Sequence, residues 1–199
     1  MKAKSAIPAF PAAKDYVASI RDVLSRLDHA ILDRMVEDLW QAYTEERTIF
    51  FFGNGGSAAL ASHFACDLAK GTILAGRPRF RGISLADNIP MITAWANDSS
   101  YHDIFAEPLA GLVRKDDRVF AISGGGNSMN VVRGLEVARS AGARTLALTG
   151  CEGGKVRALA DLCLVVPSNN MQNIEDAHLC SMHAIFTALR HRITLPDAE

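Results

Sequence analysis

Apolar residues recur at helical spacing between Ala12 and Glu46, at Val17, Ile20, Leu24, Leu27, Ile31, Met35 and Leu39. The period predicts one long helix or two, carrying a stripe that must be buried against the chain's own core or a second subunit. From Thr48 the pattern changes to short apolar runs that alternate with helical periods. Strand Thr48–Phe52 leads to helix Ser57–Lys70, and a short strand near Gly82–Leu85 leads to helices around Ile89–Ala96 and His102–Val113. Strand Arg118–Ile122 precedes helix Ser128–Ala141. Strand Arg144–Leu148 precedes a glycine-rich turn and a short helix near Lys155–Ala160, and strand Asp161–Val166 precedes a terminal helix from about Ile174 to Arg192. Runs rich in Val, Ile, Leu and Phe between helices imply a parallel sheet covered on both faces. Crossovers are then right-handed, and ligands belong at the carboxyl ends of the strands.

Two of those ends are glycine-rich and open a helix: Gly53-Asn54-Gly55-Gly56-Ser57 and Ser123-Gly124-Gly125-Gly126-Asn127-Ser128. Glycines let backbone N–H groups approach an anion, serines add hydroxyl donors, and the helix N-terminus adds partial positive charge. A pair of such loops predicts a phosphorylated small molecule as ligand. The first loop also fits G-x-G-x-x-A, but the acidic residue a dinucleotide site wants about 20 residues on is replaced by Ile73 and Leu74, and Asp87 comes later. The lysine of a G-x-x-x-x-G-K-[ST] loop is absent as well.

Composition removes other classes. The chain of 199 residues has 49% hydrophobic and 22% charged residues, which suits one α/β domain with a helical extension. A formal net charge of -1 provides no general attraction to nucleic acid or an anionic membrane. No apolar run approaches the roughly 18 residues of a membrane span, and Ile7–Ala13 is too short and too broken by proline for a signal peptide. Cys66, Cys151, Cys163 and Cys180 show no CxxC pairing and read as buried, reduced thiols of a cytosolic protein. Arg77, Arg79 and Arg81 read as a solvated or interface patch, and Trp95 and Phe80 as core or interface residues.

Titratable residues gather at two places. His63 and Asp67 are four apart on the helix after the first loop, so they share a face. Glu175, Asp176, His178 and His183 lie on the terminal helix; spacing alone pairs Glu175 with His178, or Asp176 with His183. Glu175 and His183 are about 12 Å apart along an ideal helix, so one ion reaches both only from opposite sides.

The order Gly53-Asn-Gly-Gly-Ser57, Ser62-His-Phe-Ala65, Ala96-Asn-Asp98, Ile122–Ser128, Leu148-Thr-Gly150 and Gly153-Gly154 resembles the sugar isomerase (SIS) family, within it the phosphoheptose isomerase branch, from about Asp15 to Arg192. The resemblance implies a three-layer αβα sandwich with a five-stranded parallel, flavodoxin-like sheet. It divides the chain into an N-terminal helical extension over 1–46 and a sugar-phosphate-binding domain over 47–199. It implies a homotetramer that interconverts sedoheptulose 7-phosphate and D-glycero-D-manno-heptose 7-phosphate by enediol proton transfer, in heptose and surface (lipo)polysaccharide biosynthesis.

The family's zinc ligands, His, Glu, Gln and His, fall on His63, Asp67, Glu175 and His183, one Zn per subunit. Asp67 and Glu175 depart from the pattern but remain oxygen ligands. The resemblance makes Asp67 and His183 the catalytic pair without fixing which is the base. It assigns the substrate to Asn54, Gly55, Gly56, Ser57, Asp67, Asn97, Asp98, Ser123, Gly124, Gly125, Ser128 and Glu175. Where the family has Ser-Thr-Ser this chain has Ser123-Gly124-Gly125, which leaves backbone donors and Ser128 for the phosphate. The phosphate role goes mainly to the second loop, and the first becomes a clamp on the sugar. Other readings are a non-catalytic scaffold that binds the bacterial replication initiator, a sugar-phosphate-sensing regulator, and an isomerase of another ketose phosphate. A scaffold needs neither Asp67 nor His183, and no helix-turn-helix signal supports a regulator.

Overall fold

Neighbouring residues of each central strand feed different cores, because side chains alternate across a pleated sheet. Ile49, Phe51, Phe120, Ile122, Leu146 and Leu148 join one buried cluster, and Phe50, Phe52, Val119, Ala121 and Ala147 join the other. The computed structural model describes residues 12–195, so all but the last two residues of the Ile7–Ala13 stretch lie outside the described residues. Along them run α1 (Ala13–Ser25), α2 (His29–Thr44), β1 (Thr48–Gly53), α3 (Gly56–Gly71), β2 (Arg81–Ser84), α4 (Ile89–Asp98) and α5 (Ala106–Leu112). These are followed by β3 (Arg118–Ser123), α6 (Met129–Ser140), β4 (Arg144–Thr149), α7 (Gly154–Leu159), β5 (Leu162–Val165) and α8 (Met171–Thr194).

The strands form one parallel sheet of five in the order β2-β1-β3-β4-β5. Helices α1, α2, α3 and α8 bury their apolar stripes on one face, and α4 to α7 cover the other. This is the expected three-layer sandwich. The N-terminal periodic segment is two helices, broken where Asp28 caps α2 by accepting from the Ile31 N–H at 3.2 Å. The predicted helix at His102–Val113 shrinks to α5, because residues 99–105 fold as turns around buried Asp103. The terminal helix starts three residues early, at Met171, where the Asn170 side chain accepts from the Asn173 N–H at 3.1 Å. No described helix is long and apolar enough to cross a membrane.

The topology decides where a ligand can sit. From β1 the chain crosses to β2 on one side, and β3 then pairs on the other side of β1. The loops after β1 and β3 therefore diverge and leave a crevice at the carboxyl ends of those strands. At the opposite end of the sheet Asp38 of α2 accepts from Arg118 Nε at 2.9 Å and Arg144 Nε at 2.8 Å.

Candidate functional site

Both glycine loops border the crevice, each held differently. Gly55 caps α3 with φ +57°, a conformation that costs glycine little, and the α3 N-terminus has no side-chain cap. In the second loop Gly126 has φ +64°, and its carbonyl accepts from the Val156 N–H at 3.0 Å. Asn127 donates to the Gly125 carbonyl at 2.8 Å and accepts from the Lys155 N–H at 3.2 Å. The loop is thus tied to α7 before any ligand arrives. Ser123 is buried at the end of β3, while Ser128 starts α6 with a hydroxyl that makes no capping bond. Gly125 faces open space, whereas a Cβ on Gly124 would meet Met171 Sδ at 2.5 Å.

Helices α3 and α8 leave the sheet side by side, and their facing sides bring three titratable groups together. His63 Nε2 lies 3.3 Å from Asp67 Oδ2, His183 Nε2 lies 3.8 Å from the same oxygen, and the two nitrogens are 3.5 Å apart. The ring centroids are 5.1 Å apart, edge to face. His63 and His183 are exposed and Asp67 is half-buried, so the group opens to solvent. A triangle with sides 3.3, 3.5 and 3.8 Å has a centre about 2.1 Å from each corner, which matches zinc–nitrogen and zinc–oxygen bonds. Two imidazoles and a carboxylate therefore fit a zinc ion in chemistry and in spacing.

Glu175 is not in that group. Its carboxylate lies over the first turn of α3, where a Cβ on Gly56 would be 3.2 Å from Glu175 Oε1. It does share with Gly56, Ser57 and His63 a cavity of about 240 Å³ between α3 and α8, also lined by Asp176 and His178. Asp176 accepts from the Tyr16 hydroxyl, and burial together with that bond pushes the Tyr16 pKa up to about 12. Asn97 and Asp98 end α4, exposed and bonded to each other at 2.7 Å.

His178 is buried, with Nε2 3.0 Å from the Thr149 carbonyl at the end of β4. Burial depresses its pKa to about 4, against a backbone bond that raises it, so the ring is neutral and Nε2–H donates. The unfolded chain binds this proton near pH 6.5 and the folded one near pH 4, so below pH 6.5 the unfolded state holds more protons. Stability is then full above pH 6.5 and falls as the pH drops toward 4, by about 3 kcal/mol in all. Urea denaturation between pH 7 and 4 checks this: His178→Gln, which keeps a donor but cannot titrate, flattens that limb. An unchanged pH profile would refute the assignment.

Two residues absent from the sequence-derived set also border the crevice. Tyr101 and Asn130 both hydrogen-bond Asn54, the first from the turn after α4 and the second from the first turn of α6. An asparagine two residues after the loop serine is the only local signal for either, and it does not reveal a partner across the sheet.

A family model described as "SIS domain" matches residues 15–150. The phosphoheptose isomerase of Mycobacterium tuberculosis is 38% identical over 174 residues, which is 87% of this chain and 86% of that protein. The structure of a phosphoheptose isomerase from Francisella tularensis superposes with a TM-score of 0.84 at 26% identity, covering 89% of this chain and 96% of that one. The corresponding enzyme of Neisseria gonorrhoeae gives 0.81 at 26% identity, covering 89% and 98%.

Proposed function

This chain belongs to the SIS domain family, and we propose that it is an aldose–ketose isomerase that interconverts sedoheptulose 7-phosphate and D-glycero-D-manno-heptose 7-phosphate. The observation that carries the reading is the convergence of His63, Asp67 and His183 on facing helices, one of which starts at the first glycine loop. Isomerisation through an enediol moves a proton between neighbouring carbons, and this needs a base, a matching acid and an electrophile at the carbonyl.

In this reading the Ser123–Ser128 loop anchors the phosphate through backbone N–H groups and the free Ser128 hydroxyl. Asn54–Ser57, with Asn97 and Asp98, holds the sugar hydroxyls. Asp67 and His183, on facing helices, share the proton transfer: one removes the carbon-bound proton while the other delivers one to the carbonyl oxygen. His63 keeps Asp67 oriented at 3.3 Å. Zinc would be held by His63, Asp67 and His183, with Glu175 the fourth ligand that the resemblance implies, and would supply a Lewis acid for the carbonyl. Zinc held by Asp67 and His183 would compete with their acid–base roles, because a lone pair committed to a metal is a weaker base.

Residues 1–46 serve in this reading as an extension to a sugar-phosphate-binding domain over 47–199. A homotetramer is supported by apolar surface that one subunit leaves uncovered. Helix α4 has no fully buried residue, Ile89 and Met91 stand exposed on it, and Ile83 is exposed on edge strand β2. A cytoplasmic location and a role in heptose supply for surface polysaccharide complete the proposal.

The test is a panel of ketose phosphates of five, six and seven carbons, offered to zinc-loaded and chelator-treated protein while aldose formation is followed. The seven-carbon substrate is expected to react fastest, with activity falling at least about tenfold on chelation and returning with zinc. Faster turnover of a shorter ketose would replace the substrate, and no turnover by intact oligomers would favour a binding scaffold.

A further inference from the structure

At the switch point a polar cluster links three loops, and its hydrogen bonds fix which atoms donate. The Val131 N–H donates to Asn130 Oδ1 at 2.9 Å, so that atom is the amide oxygen. Asn54 Nδ2 donates to the same oxygen at 3.0 Å, and Asn130 Nδ2 returns a bond to Asn54 Oδ1 at 2.8 Å. Asn54 Oδ1 is then an acceptor, and the Tyr101 hydroxyl, 3.0 Å away, must donate to it. Both lone pairs of Asn54 Oδ1 are filled and one of its N–H donors is unspent. The Tyr101 hydroxyl has used its proton and keeps its lone pairs.

The turn that carries Tyr101 is held in place. Ser99 donates to Asp103 at 2.8 Å, Asp103 N–H donates to the Ser100 carbonyl at 2.9 Å, and Arg133 of α6 pairs with Asp103. The Ser99 hydroxyl, more than the Arg133 charge, holds the Asp103 carboxyl below its ordinary pKa, so the anchor stays ionised at neutral pH. Tyr101 itself is 56% exposed, so its ring adds little to the core.

We propose that Tyr101 is a specificity-determining residue whose hydroxyl oxygen, its proton already spent on Asn54, is a fixed acceptor for one hydroxyl group of the sugar. A sugar hydroxyl can donate to that oxygen. A carbonyl or phosphate oxygen at the same place would set lone pairs against the Tyr101 oxygen, which is a rejection as well as a preference. The inference rests on the sugar-phosphate reading of the site, and its test is separable from turnover.

Binding of heptitol 7-phosphate, which carries the sugar's hydroxyls and phosphate but no carbonyl to isomerise, is measured by calorimetry beside binding of inorganic phosphate. Tyr101→Phe is expected to weaken the heptitol phosphate about threefold to tenfold, the span of one hydrogen bond, and to leave inorganic phosphate within twofold. Equal weakening of both ligands would assign Tyr101 a merely structural role, and no weakening of either would remove it from recognition. Each result overturns the proposal. Heptitol phosphate binding that depends on Tyr101 in a protein without isomerase activity would sustain it while the isomerase reading fell. Absence of heptitol phosphate binding to the wild type would overturn both.

Discussion

Asp67→Asn is expected to lower kcat on sedoheptulose 7-phosphate by roughly 10²–10⁴-fold, the range that one positioned acid–base group contributes. Asparagine keeps the size of the side chain and removes its charge and basicity. The oxygen that faces both His63 Nε2 and His183 Nε2 would then be neutral. His183→Ala is expected to cost a similar factor, and the double variant little more, because groups that act in one proton transfer do not contribute additively. Steady-state kinetics of the three variants, with circular dichroism to confirm folding, is the measurement. Wild-type kcat in either single variant would remove that residue from the chemistry. Fully additive losses would separate the two into independent roles.

Gly126→Ala is expected to destabilise the fold by at least about 3 kcal/mol, which lowers the melting temperature by roughly 6–12 °C. Two causes add. The residue sits at φ +64°, where any Cβ is strained, and that Cβ would come 2.0 Å from the Gly153 carbonyl oxygen. The carbonyl belongs to backbone, not to a flexible side chain, so the β4–α7 loop itself must move. Movement there breaks the Val156 N–H bond to Gly126 and opens the phosphate loop. Gly125→Ala meets nothing within 4 Å and is expected to stay within about 0.5 kcal/mol of the parent. Thermal melts of the two variants decide it, and equal stability would contradict the packing described for this loop.

The contrast between these glycines shows how far the sequence could be read. The run Gly124-Gly125-Gly126 announces a loop that approaches something closely, and its place after Arg118–Ile122 puts it at a strand end. Which glycine is indispensable depends on Gly153, 27 positions away and brought near by the β3–β4 pairing. The sheet was legible because Thr-Ile-Phe-Phe-Phe and Val-Phe-Ala-Ile are buried on both faces and carry no polar alternation. The start of α8 was missed by three residues, although Asn170 is a good cap, because Asn169 and Asn170 read equally well as turn residues.

In the site, His63 and Asp67 follow from helix spacing alone, since four residues place them on one face. His183 joins them only through the packing of α8 on α3, which no local pattern encodes; the family resemblance supplied it. The same resemblance set Glu175 beside the other three, whereas the α8 helix separates it from His183 by two turns and holds its carboxylate at Gly56. Tyr101 escaped because an exposed aromatic in a turn carries no signal, and its meaning appears only with the register that brings Asn54 and Asn130 together.

Conversion of sedoheptulose 7-phosphate by the purified protein in D₂O, followed by proton NMR, tests the central claim most directly. Enediol transfer at His63, Asp67 and His183 predicts a heptose 7-phosphate that accumulates to equilibrium and carries solvent deuterium on the carbon next to the new aldehyde, with both effects lost in Asp67→Asn. Unchanged substrate after prolonged incubation with folded, zinc-loaded protein would contradict the account, as would product formed at the wild-type rate by the Asp67→Asn variant.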